Sequence, residues 1–504
     1  MEYKKLQNGS DIRGVAMEGV AGQSVNLTEE VVRNIGAAFI AYLQDRLHKE
    51  KLHIAIGRDS RLSGERLADT FTQGATMLGA DVTDFGLAST PAMFMCTVEP
   101  GYDFDGAVML TASHLPFNRN GVKFFTREGG FEKSDIAAIL SLAEAGAFTP
   151  ASVRGVTDTL DYLSLYAAHL VTRIREGVNA SDYNCPLRGF HIVVDAGTGA
   201  GGFYVDRVLM PLGADTSGSQ FLVPDGHFPN HAPNPEDAAA MDALQACVER
   251  TNADLGIIFD TDVDRAGAVS SDGTELNRNR LIALVAATVL SEHPGTTIVT
   301  DSITSSGLSA FITEKGGVHH RFKRGYRNVI NESIRLNNEG TDSQLAIETS
   351  GHGALKENYF LDDGAYLVTK LIIKMAQMRR EGRALLSLIE TLSEPAESVE
   401  VRMNLPADDF AAYGNGILAD LADYAKCMQW DIAKENYEGM RVSFPKDSGD
   451  GWFLLRMSLH DPLMPLNIES NTAGGAKQIA KALYAFLRQY DKLASKDLQA
   501  LAEA

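Results

Sequence analysis

Between Thr111 and Phe125 the chain reads TASHLPFNRNGVKFF, which sets Ser113 between Ala112 and His114. The apolar run Gly106 to Leu110 comes just before it. That run predicts a buried strand, with Ser113 in the loop at its carboxyl end, where open α/β sheets carry their chemistry. Arg119, Lys123 and Arg127 follow, three cations close in sequence to one hydroxyl. A serine beside a histidine and among cations suits transfer of a dianionic group. Acyl transfer fits less well, because the G-x-S-x-G elbow is absent.

A second segment adds a metal. The strand-like run from Asp254 to Phe259 leads into Asp260-Thr261-Asp262-Val263-Asp264-Arg265. Three carboxylates at alternate positions cannot all be buried unpaired, since repulsion and desolvation would protonate them. A hard divalent cation resolves the conflict, and oxygen ligands on a short loop suit Mg²⁺. An EF-hand does not fit. With Asp260 as position one, position six is Arg265 instead of glycine, and the glutamate at position twelve is missing.

Two further segments carry groups suited to hydroxyls and to an anion. In Glu348-Thr349-Ser350-Gly351-His352 a carboxylate beside a hydroxyl supplies acceptors and a donor for a vicinal diol, and Gly351 lets backbone come close. Arg456, Ser458 and His460 stand at alternate positions after Trp452 to Leu455, so they share one face if that strand continues. Arg456 can grip a phosphate bidentately. The basic run His319 to Arg324, followed by Gly325-Tyr326-Arg327, suggests a loop that approaches an anion, with Lys323 and Arg327 as its contacts.

On TASHLPFNRNG, DTDVDR, ETSGH and RMS, in that order, the chain resembles the α-D-phosphohexomutase family over nearly its whole length. The resemblance implies a phosphoserine loop, a metal loop, a sugar-recognition loop and a C-terminal phosphate-binding loop. It implies that phosphorylated Ser113 carries the phosphoryl group, and that one Mg²⁺ per subunit is held by Asp260, Asp262, Asp264 and an oxygen on Ser113. Arg265, directly after the third aspartate, is placed to stabilise charge in the transition state. Lys123, His352, His114 and Arg13 are the candidate acids and bases, and the resemblance favours Arg13, Lys123 and His352. A lysine or arginine serves as a base only if local charge or desolvation lowers its pKa, so Lys123 is equally readable as an electrostatic clamp. Hexose 1,6-bisphosphate is the implied activator.

The expected activity is interconversion of hexose 1-phosphate and hexose 6-phosphate, with glucose and mannose phosphates leading. A phosphoglucosamine mutase is the alternative within the family. A phosphatase with an aspartate nucleophile in DTDVDR leaves TASHLP unexplained, and a non-catalytic sugar-phosphate binding protein is the third reading. The sequence departs from the family pattern at Leu115, at Leu459-His460 and near Pro465, where a downstream arginine is common. These departures bear on substrate preference more than on reaction type.

Bulk properties bound the class of protein. A chain of 504 residues is too long for one ordinary core, and length suggests three or four domains. Its 44% hydrophobic and 22% charged residues are those of a globular protein, and a net charge of −20 argues against nucleic acid as partner. Cys96, Cys185, Cys247 and Cys427 show no CxxC spacing, so neither a disulfide framework nor a zinc site is expected. No apolar run is long enough to span a bilayer and the N-terminus has no apolar leader core, so a cytoplasmic location without membrane contact is expected. The expected partner is a small phosphosugar, and the expected assembly is a monomer or weak homodimer.

The elements that position these residues fall into a repeat. His53 to Ser60, His191 to Thr198 and Thr297 to Ile303 each run from a β-rich apolar stretch into an aspartate, Asp59, Asp195 and Asp301. They predict three similar α/β domains with mixed sheets. Leu67, Phe71, Ala75 and Leu78 recur at helical spacing, and Asp161 to Val178 predicts another helix. Near the C-terminus, Val399 to Leu405, Met440 to Phe444, Gly451 to Met457 and Pro465 to Glu469 predict strands. A helix follows from about Ala473, with Ile479, Leu483, Phe486 and Tyr490 on one face. The expected domains are 1–160, 161–280, 281–398 and a smaller α+β domain, 399–504. The resemblance places them around a central cleft closed by a mobile fourth domain.

Overall fold

The computed structural model describes residues 2–102, 104–406, 409–458 and 461–503. They divide into two compact units, one of residues 1–277 with 350–387 and one of residues 278–349 with 388–504.

The first unit contains two sheets. The heart of the larger is β1 (Asp11–Val15), β2 (His53–Arg58), β3 (Gly106–Leu110) and β4 (Arg119–Thr126), in the spatial order β1-β4-β3-β2. β2 and β3 are parallel, while β4 is antiparallel to both its neighbours, so the sheet is mixed. β3 is buried at every position, as its unbroken apolar run requires. Helix α1 (Glu29–Leu47) starts at Thr28, whose hydroxyl accepts from the Val31 amide, and carries Glu29 and Glu30 in its first turn. It packs on α2 (Gly64–Met77) so closely that a Cβ at Gly74 would overlap the Arg33 carbonyl. Leu67, Phe71 and Ala75 of α2 are buried on the expected face. The core between helices and sheet is mainly aliphatic, around an aromatic cluster in which Phe39 stacks on Phe124 at 4.6 Å.

The second sheet holds β5 (Ile192–Asp195), β6 (Leu255–Phe259) and β7 (Ala266–Ser270), in the order β7-β6-β5. β5 and β6 are parallel and β6 and β7 form a hairpin. The turn of that hairpin is the acidic loop 260–265. The helix expected from Asp161 runs Tyr162–Val178, with Asp161 as its N-cap.

In the second unit, after the helix Asn279–Glu292, β8 (Thr297–Thr300) lies between β9 (Val318–Arg321) and β10 (Ser343–Ile347) and is parallel to both. Its C-terminal part is an antiparallel sheet built on β11 (Glu397–Asn404), β12 (Met440–Phe444), β13 (Gly451–Leu455) and β14 (Leu463–Ser470), in the order β11-β14-β13-β12. The helix Gly475–Leu487 covers it, burying Ile479, Leu483 and Phe486.

Three readings near the C-terminus need correction. Tyr490 lies beyond the last helical residue, Leu487. The helix Phe410–Cys427 was not expected, because its buried face is only Gly414, Ile417, Leu421 and Ala425. The strand expected to reach Met457 stops at Leu455. Arg456 faces Pro465 and donates to its carbonyl at 3.1 Å, but proline has no N–H to return, so the ladder ends. Among the described residues, no helix is long and apolar enough to cross a membrane.

Candidate active site

Ser113 stands at the end of β3, buried, with a left-handed backbone (φ 51°). A non-glycine residue held there costs on the order of 1 kcal/mol, so its surroundings must impose the conformation. Its hydroxyl donates to Asp260 Oδ2 at 3.0 Å and accepts from Arg265 Nη2 at 2.9 Å. His114 Nδ1 lies 3.3 Å from the same hydroxyl and 2.7 Å from Arg265 Nη2. Because a guanidinium only donates, Nδ1 is the acceptor nitrogen of that ring. Burial, then the Arg265 charge, lowers His114 to about 3, so it is neutral at pH 7.

The acidic loop meets the serine. Asp260, Asp262 and Asp264 are all buried, and each offers an oxygen within 4.8 Å of the others. Val263, between them, also has a left-handed backbone (φ 68°), unusual for a β-branched residue. Lys123 Nζ lies 3.0 Å from Asp262 Oδ2 and 2.5 Å from Asp264 Oδ2, and the Thr90 hydroxyl donates to Asp262 Oδ2 at 2.5 Å. Asp262 Oδ1 and Asp264 Oδ1 make no hydrogen bond. Burial, then repulsion from Asp264 and Asp262, pushes Asp260 well above the usual carboxylate range. Asp264 is held low: Lys123, His352 and Arg265 outweigh its burial. Orphaned, buried carboxylate oxygens in an all-oxygen donor set fit a hard divalent cation, which would relieve that repulsion.

A second group adjoins this one. His352 Nδ1 lies 2.6 Å from Asp362 Oδ2 and 3.9 Å from Asp264 Oδ1. Burial opposes a charge on His352, but Asp362 and Asp264 outweigh it and raise the imidazole to about 9. The acidic turn Asp362-Asp363 therefore splits in function. Asp363 caps a helix, accepting from the Tyr366 amide, whereas Asp362 belongs to the site.

Of the other residues singled out, Arg13 lies on β1 opposite Gly121, pairs with Asp11 at 3.0 Å and is close enough to lower His114. Arg127 is not part of the site: it is exposed, past the end of β4. A further cation that meets the serine loop is Arg61, buried and bonded to the Ser113 carbonyl. Thr90, Asp362 and Asn234, whose Oδ1 accepts from Arg265 Nη1 at 3.0 Å, were also missed. For Arg61 there was a signal, its position two residues after the strand-end Asp59.

The boundary between the units falls between Thr349 and Ser350, so Ser350 and His352 belong to the first unit and Glu348 to the second. In the second unit, Glu348 Oε1 accepts from the Gly325 amide at 2.6 Å. Gly325 (φ 112°) is the N-cap of the helix Tyr326–Asn338, which carries Arg327 in its first turn. Lys323 is exposed, its ammonium 5.8 Å from the Phe322 ring. His319, His320 and Arg321 are engaged inside the unit, with Thr300, Glu332 and Thr304. Arg456 is buried just past β13; Nη1 reaches the Met457 carbonyl at 3.4 Å, and among the described residues Nε makes no hydrogen bond. Ser458 donates its amide to Leu463 at 3.0 Å, and its hydroxyl accepts from the Asp461 amide at 3.3 Å. Since the strand ends at Leu455, these residues do not share a strand face, and His460 lies outside the described residues.

Family models for phosphoglucomutase/phosphomannomutase α/β/α domains I, II and III match residues 4–149, 166–273 and 277–394. The chain is 30% identical over 467 residues to the phosphoglucomutase of Neisseria gonorrhoeae, covering 92% of this chain and 93% of that one. It is 31% identical over 467 residues to the phosphomannomutase/phosphoglucomutase of Pseudomonas aeruginosa PAO1, covering 92% of each. A crystal structure of a phosphoglucomutase/phosphomannomutase family protein from Burkholderia thailandensis superposes with a TM-score of 0.78 at 28% identity, over 95% of this chain and 96% of that one.

Proposed function

Because the chain belongs to the phosphoglucomutase/phosphomannomutase family, we propose that it interconverts hexose 1-phosphates and hexose 6-phosphates, with glucose and mannose phosphates as substrates. The observation that carries this reading is the setting of Ser113, whose hydroxyl touches both an arginine and the first of three buried, clustered aspartates. In the proposed cycle, phosphorylated Ser113 gives its phosphoryl group to one end of the sugar. The resulting hexose 1,6-bisphosphate turns and returns the other phosphoryl group to the serine. Added bisphosphate activates by rephosphorylating Ser113.

Asp260, Asp262 and Asp264 would hold Mg²⁺, which when bound neutralises charge and acts as a Lewis acid at phosphorus. Arg265 donates to the oxygen that bears the phosphoryl group, and with Asn234 orienting its other nitrogen it stabilises charge without reorganising. His352, kept protonated at neutral pH by Asp362, holds a proton for the sugar oxygen. Lys123 balances the charge of Asp262 and Asp264. Arg13, close enough to lower His114, serves as a further cation and candidate proton donor of the same site. Glu348 and Ser350 read the sugar hydroxyls. Lys323, Arg327, Arg456, Ser458 and His460 hold the phosphate that is not being transferred. The four cysteines are unpaired, which suits a reducing cytoplasm, and a monomer or weak homodimer goes with this reading.

The test is a coupled assay of glucose 1-phosphate, mannose 1-phosphate and glucosamine 1-phosphate side by side, with Mg²⁺ and bisphosphate present. Turnover of the first two is expected. Preference for glucosamine 1-phosphate would reassign the substrate, and no turnover of any would overturn the proposal.

A further inference from the structure

Ser113 keeps a left-handed backbone, yet no glycine and no direct contact of its side chain explains how the loop holds it there. Both of its peptide groups are tied to one buried carboxylate. On the amide side, Ser113 N–H donates to Thr111 Oγ1 at 2.9 Å, and the Thr111 hydroxyl donates to Asp59 Oδ2 at 2.7 Å. On the carbonyl side, Arg61 Nη2 donates to the Ser113 oxygen, and Arg61 Nε, which makes no hydrogen bond among the described residues, is in ion-pair range of the same Asp59 Oδ2 at 3.3 Å. The other contacts of the guanidinium are also backbone carbonyls. Nη2 reaches Leu115 at 2.7 Å, and Nη1 reaches Pro116 at 2.9 Å and Arg119 at 3.0 Å. One side chain thus spans the loop between β3 and β4, from Ser113 to Arg119, the first residue of β4.

Arg61 costs something to keep there. Its side chain and that of Asp59 are both fully buried, and a buried ion pair is weak support for stability by itself. The five fixed N–H groups of a guanidinium can span several carbonyls at once, whereas an ammonium is a point donor with three. Among the described residues, the hydrogen bonds of the Arg61 guanidinium all go to loop carbonyls, and its central carbon stands over the Phe228 ring, 5.2 Å from the centroid. We propose that Arg61, oriented by Asp59, is the positioning residue that fixes the Ser113 hydroxyl in line with Arg265 and Asp260. This rests on the reading of Ser113 as the phosphoryl carrier. Its consequence is specific: loss of the clamp should slow transfer both onto and off Ser113 without weakening substrate capture, because Arg61 faces the loop's backbone.

The experiment compares Arg61→Lys, Thr111→Val and Thr111→Ser in the full chain with Mg²⁺. kcat and KM are measured in the coupled assay, phosphorylation of Ser113 by hexose 1,6-bisphosphate is followed by intact mass in single turnover, and thermal unfolding is recorded. A misplacement near 1 Å can cost about a hundredfold in rate. Arg61→Lys is therefore expected to lower kcat and the rate of Ser113 phosphorylation together by about that factor, with KM within about threefold of native. Thr111→Val should do the same more weakly, and Thr111→Ser, which keeps the hydroxyl, should restore the rate. A folded Arg61→Lys with kcat within threefold of native would overturn the inference. So would equal rates for Thr111→Val and Thr111→Ser, and this pair decides the matter if Arg61→Lys does not fold. Failure of the carrier reading is distinguishable, since it would appear as turnover by Ser113→Ala.

Discussion

The loop after Leu110 and the loop after Leu455 both leave buried strands at positions that the sequence marks as chemical, but they are built in opposite ways. In the first, a left-handed serine is tied through both peptide groups to buried side chains, and its hydroxyl already has Asp260 and Arg265 as partners. In the second, a proline ends the ladder, Arg456 leaves its Nε without a hydrogen bond among the described residues, and Nη1 reaches only a long contact at 3.4 Å. On the proposed reaction this difference has a reason. The atom that makes and breaks a covalent bond needs fixed geometry. The group that holds the far phosphate must release it when the bisphosphate turns, so few rigid partners suit it.

The comparison breaks most visibly at its rigid end. Ser113→Ala should lower turnover by roughly 10³-fold or more, the scale seen when a nucleophile that works as part of a set is removed. The fold should remain intact, because the serine backbone keeps its ties to Thr111 and Arg61. Turnover above a few per cent of native would show that another group carries the phosphoryl. Asp262→Asn comes next. It removes one of three clustered charges, so activity and Mg²⁺ affinity should fall together, by about a hundredfold. Activity of the native enzyme insensitive to EDTA would contradict the metal assignment.

At the looser end, Arg456→Ala should raise KM about ten- to a hundredfold, the effect of losing a charged hydrogen bond. It should also release more free hexose 1,6-bisphosphate per turnover, and added bisphosphate should restore part of the rate. An unchanged KM with no extra bisphosphate would move the phosphate clamp to the segment 323–327. The smallest effect is on stability. Burial and Arg265 hold His114 at about 3, against 6.5 as its ordinary value. Its contribution to stability is therefore complete above about 6.5 and is lost as pH falls toward 3. His114→Asn should flatten the fall of Tm across that range. An equally steep fall in both proteins would contradict it.

What the sequence shows and what it hides divide along the same physical line. Gly106 to Leu110 and the acidic loop were legible because a strand and its turn are local: a buried apolar run followed by polar residues has one reading. The partners of those loops were not, because they are distant in the chain. Arg61 is 52 residues from Ser113, and Thr90 is 172 from Asp262. Nearness in sequence misled in the other direction. Lys123 lies within β4 and Arg127 just past its end, and an extended strand carries the chain away by about 3.3 Å per residue. Only Lys123 reaches the aspartates. In the sequence Asp362-Asp363-Gly364 reads as a structural acidic turn, and only the return of Asp362 to His352 reveals its place in the site. The helix Phe410–Cys427 was hidden for another reason: its buried stripe is too narrow to give a clear helical period.

The central claim is that Ser113 is the phosphoryl carrier, and its most direct test is the site of phosphorylation. The native protein would be incubated with hexose 1,6-bisphosphate and Mg²⁺, and its phosphate located by intact mass and peptide mapping. The account predicts one phosphate, on Ser113, that is lost when hexose 6-phosphate is added. Phosphate on an aspartate of the 260–264 loop, or none on Ser113 in a protein that still turns over, would contradict it.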